Sequence, residues 1–406
     1  MKRDRNTAFV EKRYLLPFVL VTSLFFIWGF AHAILNVLNK HFQDVFSMDK
    51  TQSAMIQAMT YIGYFICAIP AGLFITRYGY RKGVVFGLLL YGTGALLFIP
   101  GDGLASFEYY LFSLFVIACG MVFLETAANP YVTELGAKET ATSRLNLAQS
   151  FNGLGCVMAP MITGLLLFGN NGESSGSSVA IPYAVMGVVV LVIAFVFSLV
   201  KLPEIKHEVE TDADGNVVSL WSHKMYILGL IALLAYEISE ISINTFFINY
   251  VVEDGLMTPR DASVLLSFGG LTLFMLGRFV GSAIMRFVRA EKMLFICAIG
   301  TVCTTTLVFL DLGLVSFTAL CLGYAFEAIM FPTIFALSLR GLGAHTKRAS
   351  SYLMMTPVGG VIGPLLMGYV ADVSDSMSMA FVVPLVGYVI VLLYAHKAKK
   401  ALEVLF

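Results

Sequence analysis

Glu125 is the side chain in this sequence with the clearest potential for chemistry. It sits in C-G-M-V-F-L-E-T-A-A-N-P-Y-V-T-E-L-G (119–136), five residues before Pro130, with no Lys or Arg within ten residues on either side. Burying an ionised carboxylate in such a run is costly, so it must be protonated, paired with a distant residue, or open to a wet cavity. Acids placed this way on membrane helices serve proton relays and substrate sites; the competing reading is a neutral acid bonding a neighbouring helix. Other polar groups recur at helical spacing. His32 and Asn36 are four apart and Asn39 extends their stripe, while Gln57, Tyr61 and Tyr64 follow i, i+4, i+7. Asn146, Gln149 and Asn152 are three apart, and Glu240 shares a face with Asn244, with Glu237 beside it. Amides both donate and accept, as recognition of sugar hydroxyls requires. Hydrogen bonding between helices is the alternative for each stripe, and it is the better reading for Asn39. Among 33 Phe and 18 Tyr some rings could stack on a pyranose, although most aromatic rings in membrane helices simply pack.

The elements that position these groups follow from composition. Hydrophobic residues make up 58% of the chain and charged residues 13%, with a mean hydropathy of +0.83. Those values exclude a soluble globular domain and imply an all-α polytopic membrane protein embedded in a lipid bilayer. A net charge of zero gives no reason to expect a nucleic-acid partner. Cys67, Cys119, Cys156, Cys297, Cys303 and Cys321 all fall in apolar runs, as small buried side chains rather than disulfides or metal ligands. The six histidines lack ligand spacing, so no metal site is expected, and no cofactor is expected beyond a coupling proton or sodium ion. There is no phosphate-cradling glycine loop, so energy should come from an ion gradient. An intramembrane enzyme would need a Ser–His pair, H-E-x-x-H or a metal cluster, and a channel a filter sequence; the sequence has none of these. The first apolar run reads as a span rather than a cleavable signal peptide.

Spans are expected at 14–38, 52–76, 83–100, 108–133, 145–168, 180–200, 225–252, 262–287, 292–311, 315–339, 349–371 and 378–396. They divide into two six-helix bundles, 14–200 and 225–396, with tails at 1–13 and 397–406 and a polar linker at 201–224. Loops on the side of the tails and linker hold 22 of the 26 basic residues; the opposite loops hold Lys40, Lys50 and Arg260, and Arg278 lies within a span. The positive-inside rule makes both termini and the linker cytoplasmic.

The halves also repeat. Glu125 precedes Pro130 by five residues, as Glu327 precedes Pro332; Arg144, Gly155 and Pro160 recur at the same spacings as Arg348, Gly359 and Pro364. Basic turns R-Y-G-Y-R-K-G (77–83) and R-F-V-R-A-E-K (286–292) follow equivalent spans. Parallel repeats of this kind build major facilitator transporters, whose site lies near mid-membrane between pseudo-symmetric halves.

F-F-I-W-G (26–30), Y-F-I-C-A-I-P-A-G (64–72), L-E-T-A-A-N-P-Y-V-T (124–133) and R-L-N-L-A-Q-S-F-N (144–152) make the chain resemble the fucose–galactose–glucose/proton symporter family of the major facilitator superfamily. F-P-T-I-F-A-L (331–337), L-G-A-H-T-K (342–347) and G-P-L-L-M-G-Y-V-A-D (363–372) extend the resemblance over nearly the whole chain. It implies proton-coupled monosaccharide uptake by alternating access, with Glu125 as the protonation site. It also implies a sugar site near Gln149, Asn152 and Glu240. The family's first helix usually carries L-N-D, but the aligned position here is Asn36, which can hold a hydroxyl and cannot take up a proton.

The expectation is therefore a monomeric symporter in a bacterial inner membrane. Glu125 couples the proton, and His32, Asn36, Gln57, Gln149, Asn152, Glu240 and Asn244 contact the sugar. The alternatives are a sodium-coupled symporter, a transporter of an amino sugar or sialic acid, and a facilitator or sugar-sensing receptor.

Overall fold

The computed structural model describes residues 9–46, 50–104, 106–167, 180–200, 219–253 and 264–403, with Met257 and Ala262 between the last two stretches. Within these stretches the side chains of 35–58, 102, 160–167 and 402–403 are not among the described ones. Most of linker 201–224 and parts of both tails lie outside the described residues.

The described chain is built from helices, because a backbone in hydrocarbon must satisfy its own N–H and C=O groups. In chain order they are α1 (Leu15–Phe46), α2 (Lys50–Tyr78), α3 (Tyr80–Leu96), α4 (Phe107–Glu134), α5 (Ala141–Leu167) and α6 (Ala180–Leu199). There follow α7 (Lys224–Glu253), α8 (Leu265–Ile284), α9 (Ala290–Phe309), α10 (Leu314–Leu339), α11 (Gly343–Ser374) and α12 (Val382–Glu403). Among the described residues, eleven are long and apolar enough to cross a membrane; α5, which carries the amide face, is the remaining one. This is a multi-pass membrane protein.

Several boundaries differ from the sequence expectation. The first helix continues through Lys40 to Phe46, eight residues past the expected end at 38, so Lys40 belongs to a helix rather than a loop. The span expected at 315–339 is two segments, Leu314–Glu327 and Met330–Leu339, interrupted immediately after the glutamate. The eleventh is likewise interrupted between Leu353 and Gly359, around Pro357, which lacks an N–H for the helical ladder. By contrast α4 stays continuous through Pro130, although it too loses one ladder bond there.

α1 packs mainly on α5, α3 on α4 and α6, and α2 on α4; in the second half α7 packs on α11 and α12, and α9 on α10 and α12. Glycine permits the closest approaches. A Cβ on Gly29 would collide with the Asn152 carbonyl, and one on Gly155 with the Phe26 carbonyl, so α1 and α5 meet backbone to backbone. α4 is the most enclosed helix, buried without interruption from Ile117 to Val132.

The hydrogen-bonded contacts described between the halves gather toward the side where α1 begins. α5 meets α8 and α10 there, and the start of α11 meets α2 and α4. Ser143 donates to the Ser282 carbonyl at 2.6 Å and Ser282 returns a bond to the Ser143 carbonyl at 2.8 Å. Asn146 Nδ2 reaches Thr333 Oγ1 at 3.2 Å. Lys347 lies 4.6 Å above the Tyr80 ring, and Arg286 lies 4.5 Å above Phe9. The molecule is closed at this end.

Candidate functional site

Glu125 is 7% exposed, and no described cation pairs with it. Its Oε1 accepts the Tyr64 hydroxyl from α2, and His32 Nε2 of α1 stands 3.3 Å from that same hydroxyl. Three helices thus contribute one polar chain, His32–Tyr64–Glu125, set in apolar packing. A hydroxyl placed between an imidazole and a carboxylic acid can accept a proton from one and donate to the other, which is what a relay requires.

Opposite this chain stands the acidic face of α7. Glu237 is buried and close enough to Glu125 and Tyr64 to interact with both electrostatically. Glu240 accepts from Asn244 Nδ2 at 3.3 Å, and Asn244 Oδ1 accepts from the Tyr324 hydroxyl of α10 at 2.7 Å. Tyr61 of α2 approaches Glu237 and Glu240 and lies against Gly360 of α11, so it spans the two halves.

The amide face of α5 lies at the same junction with part of its bonding capacity committed to protein. Gln149 Nε2 donates to Asn129 Oδ1 at 3.2 Å, and Asn152 Nδ2 to the Phe25 carbonyl at 3.4 Å. Arg278 of α8, 7% exposed, links this face to the other half. Its Nη1 donates to the Gln149 carbonyl at 3.1 Å and to Asn152 Oδ1 at 3.2 Å, while Nε donates to the Ala328 carbonyl at 3.1 Å. Asn146 lies beyond them at the closed end.

The structure therefore places the candidates in three neighbouring groups rather than one cluster. His32 is with Glu125, Glu240 is with Asn244, and Gln149 and Asn152 are with Arg278. The side chains of Asn36 and Gln57 lie outside the described residues. Sequence reasoning did not assign roles to Tyr64, Arg278, Tyr324, Glu327 or Tyr388. Tyr64 stood in a polar stripe and Arg278 was a cation deep within a span, so both had a signal; Tyr324 and Tyr388 had none, since tyrosines are too numerous to single out. Among the described residues there is no group of three His, Cys, Asp or Glu arranged to hold a metal.

The sequence profile described as Major Facilitator Superfamily matches residues 21–356. A glucose/galactose transporter of Brucella abortus is 34% identical over 399 residues, covering 96% of each chain. The L-fucose-proton symporter of Escherichia coli K12 is 32% identical, covering 95% of this chain and 94% of that one. A crystal structure of a major facilitator transporter, FucP, in the outward conformation superposes with a TM-score of 0.85 at 31% identity, over 95% of this chain and 99% of that one.

Proposed function

Because the chain belongs to the Major Facilitator Superfamily, we propose that it is a secondary transporter that takes up a monosaccharide of the fucose or hexose class together with a proton. The observation that carries this reading is the deeply buried Glu125, held among the described residues by Tyr64 and facing Glu237 where the two halves meet. Relatives named as L-fucose-proton symporters and glucose/galactose transporters support the substrate class and the coupling ion.

In this reading the bundles are 14–200 and 225–396, and the closed end is cytoplasmic, since the tails, the linker and most basic residues belong to that side. The protein works as a monomer in a bacterial inner membrane with both termini inside. The sugar enters from the opposite side and meets His32, Asn36, Gln57, Gln149, Asn152, Glu240 and Asn244. Gln149 and Asn152 each keep bonding capacity beyond their protein contacts, so a sugar hydroxyl can join the same amides that tie the halves together. Glu125 takes a proton through Tyr64. Neutralising this carboxylate removes a buried charge, so the loaded carrier can rearrange without dragging an ion through apolar surroundings. Alternating access then consists of parting the cytoplasmic contacts and closing the opposite end.

Uptake of labelled fucose, galactose and glucose into proteoliposomes tests this, with an imposed pH gradient, with a sodium gradient, and with neither. Accumulation above equilibrium only with the pH gradient is expected. Accumulation driven by sodium alone overturns the ion, and exchange with no accumulation under any gradient overturns the symporter.

A further inference from the structure

The repeat pairs Glu125 with Glu327, and the surroundings of Glu327 show a second site. Glu327 ends the first segment of α10 and is 2% exposed. Tyr388 of α12 donates to its Oε2, while its Oε1 has no hydrogen-bond partner among the described residues. The side chain lines a small cavity inside the second half, between α7, α9, α10 and α12, with Thr301, Thr304, Thr305 and Tyr324 around it. That space accommodates about one water.

The groups that face Glu327 can be named helix by helix. α7 presents Glu240 and Tyr236, α8 presents Arg278, α10 itself presents Tyr324, α12 presents Tyr388, and α9 presents threonines. Arg278 is the one cation among these, and it donates to the Ala328 and Gln149 carbonyls and to Asn152 Oδ1 rather than to the carboxylate. An ionised carboxylate offers about four acceptor positions, and one donor satisfies only one of them. A buried charge left in that condition is expensive. A neutral acid fits better. Oε2 is then the carbonyl that accepts Tyr388, and Oε1 carries the proton, free to donate to a water in the cavity.

We propose that Glu327 is a second proton-binding site, internal to the second half and separate from the junction where Glu125 lies. This rests on the proton-coupled reading and supplies the second protonatable acid that position 36 lacks. Release is a simple transfer: the Oε1–H bond breaks, the proton passes to a cavity water, and Oε1 keeps the electron pair. The resulting anion attracts Arg278, which holds the carbonyl of the next residue, Ala328. Arg278 would then loosen from Gln149 and Asn152. Proton release inside one half is thereby transmitted to the contact between halves.

The test is infrared difference spectroscopy of the full chain in proteoliposomes, taken across pH without sugar. Wild type should show carboxylic-acid C=O bands that vanish as the pH rises. Glu327→Gln should remove one of them, and Glu125→Gln a different one. Tyr388→Phe keeps the acid but strips its carbonyl of a donor, so the same band should move to higher frequency. A Glu327→Gln protein that folds and keeps every band overturns the proposal. So does a Tyr388→Phe protein in which no band moves, and this second test holds even if Glu327→Gln does not fold. The measurement needs no substrate, which separates the two readings. If sugar moves no protons in wild type while the Glu327 band is present, the transport reading fails and the site stands.

Discussion

The two halves carry the same carboxylate and the same proline, yet they place them differently. Glu125 and Glu327 each stand five residues before a proline, and each accepts a tyrosine hydroxyl 61 residues away. Tyr64 precedes its glutamate, on α2 at the junction of the halves; Tyr388 follows its glutamate, on α12 inside the second half. The tyrosines are therefore not equivalents under the repeat. The acid recurs in both halves, but each takes its hydroxyl donor from a different helix. One acid was left facing the partner half, and the other was sealed within its own.

The prolines extend the comparison. A proline has no N–H, so it frees the carbonyl four residues earlier. For Pro130 that carbonyl belongs to Thr126, and it accepts Ser350 Oγ from the other half at 3.0 Å. For Pro332 it belongs to Ala328, and it accepts Arg278 Nε from α8 of the same half. Arg144 and Arg348 also diverge. Arg144 is fully buried and donates to the Val132 and Thr133 carbonyls at the end of α4, and to those of Phe9 and Ala137. Arg348 lies at the surface, 3.5 Å from the Tyr352 hydroxyl.

The largest effect should come from removing the acid at the junction. Glu125→Gln fixes a neutral side chain in place, so gradient-driven accumulation should fall to simple equilibration, while counterflow of preloaded sugar persists. Full accumulation by this variant would remove Glu125 from the coupling step. Next comes the arginine pair. Arg144→Ala strips charged donors from several buried carbonyls and should cost roughly 2–3 kcal/mol in detergent-solubilised stability. Arg348→Ala should stay within about 0.5 kcal/mol of wild type. Equal losses would show that the repeat, rather than the local environment, sets the role of each arginine.

The all-helical membrane fold was legible in the sequence because the length needed to cross a bilayer acts over whole segments. The acid of α4 was legible too, because an isolated Glu in a long apolar run has few alternatives. What stayed hidden depends on side-chain direction. Glu327 appeared as a mark of duplication because nothing in E-A-I-M-F-P reveals that it turns toward α12 and a cavity. The α5 amides appeared ready for sugar hydroxyls, since spacing cannot show that Asn129, Phe25 and Arg278 already take up part of their bonding capacity. The breaks after Glu327 and Leu353 were hidden for a related reason: Pro130 sits in the same local context and leaves α4 whole.

Those amides give an intermediate prediction. If Asn152 bonds a sugar hydroxyl, Asn152→Ala should weaken sugar binding by about one to two decades, equivalent to roughly 1–3 kcal/mol. Isothermal titration with the preferred sugar measures this. Unchanged affinity combined with lower thermal stability would make Asn152 only a support for Arg278.

The smallest effect concerns the proline-freed carbonyl that joins the halves. Ser350→Ala deletes one neutral hydrogen bond across the closed end, worth about 1 kcal/mol, so the closed population should fall roughly fivefold relative to the open one. Pro130→Ala acts on the same bond from the other side: it restores an N–H that can claim the Thr126 carbonyl for α4's own ladder. If the bond exists because the proline freed its acceptor, the two substitutions remove one interaction, and the double variant should be no worse than the worse single one. Accessibility of a cysteine placed at the cytoplasmic mouth reports the population for all four proteins. Strictly additive shifts would mean that Ser350 gains nothing from Pro130, and that the proline serves α4 alone. A sub-additive result would assign Pro130 a role that its counterpart in the second half does not have. Pro332 frees an acceptor for an arginine of its own half, whereas Pro130 frees one for the opposite half.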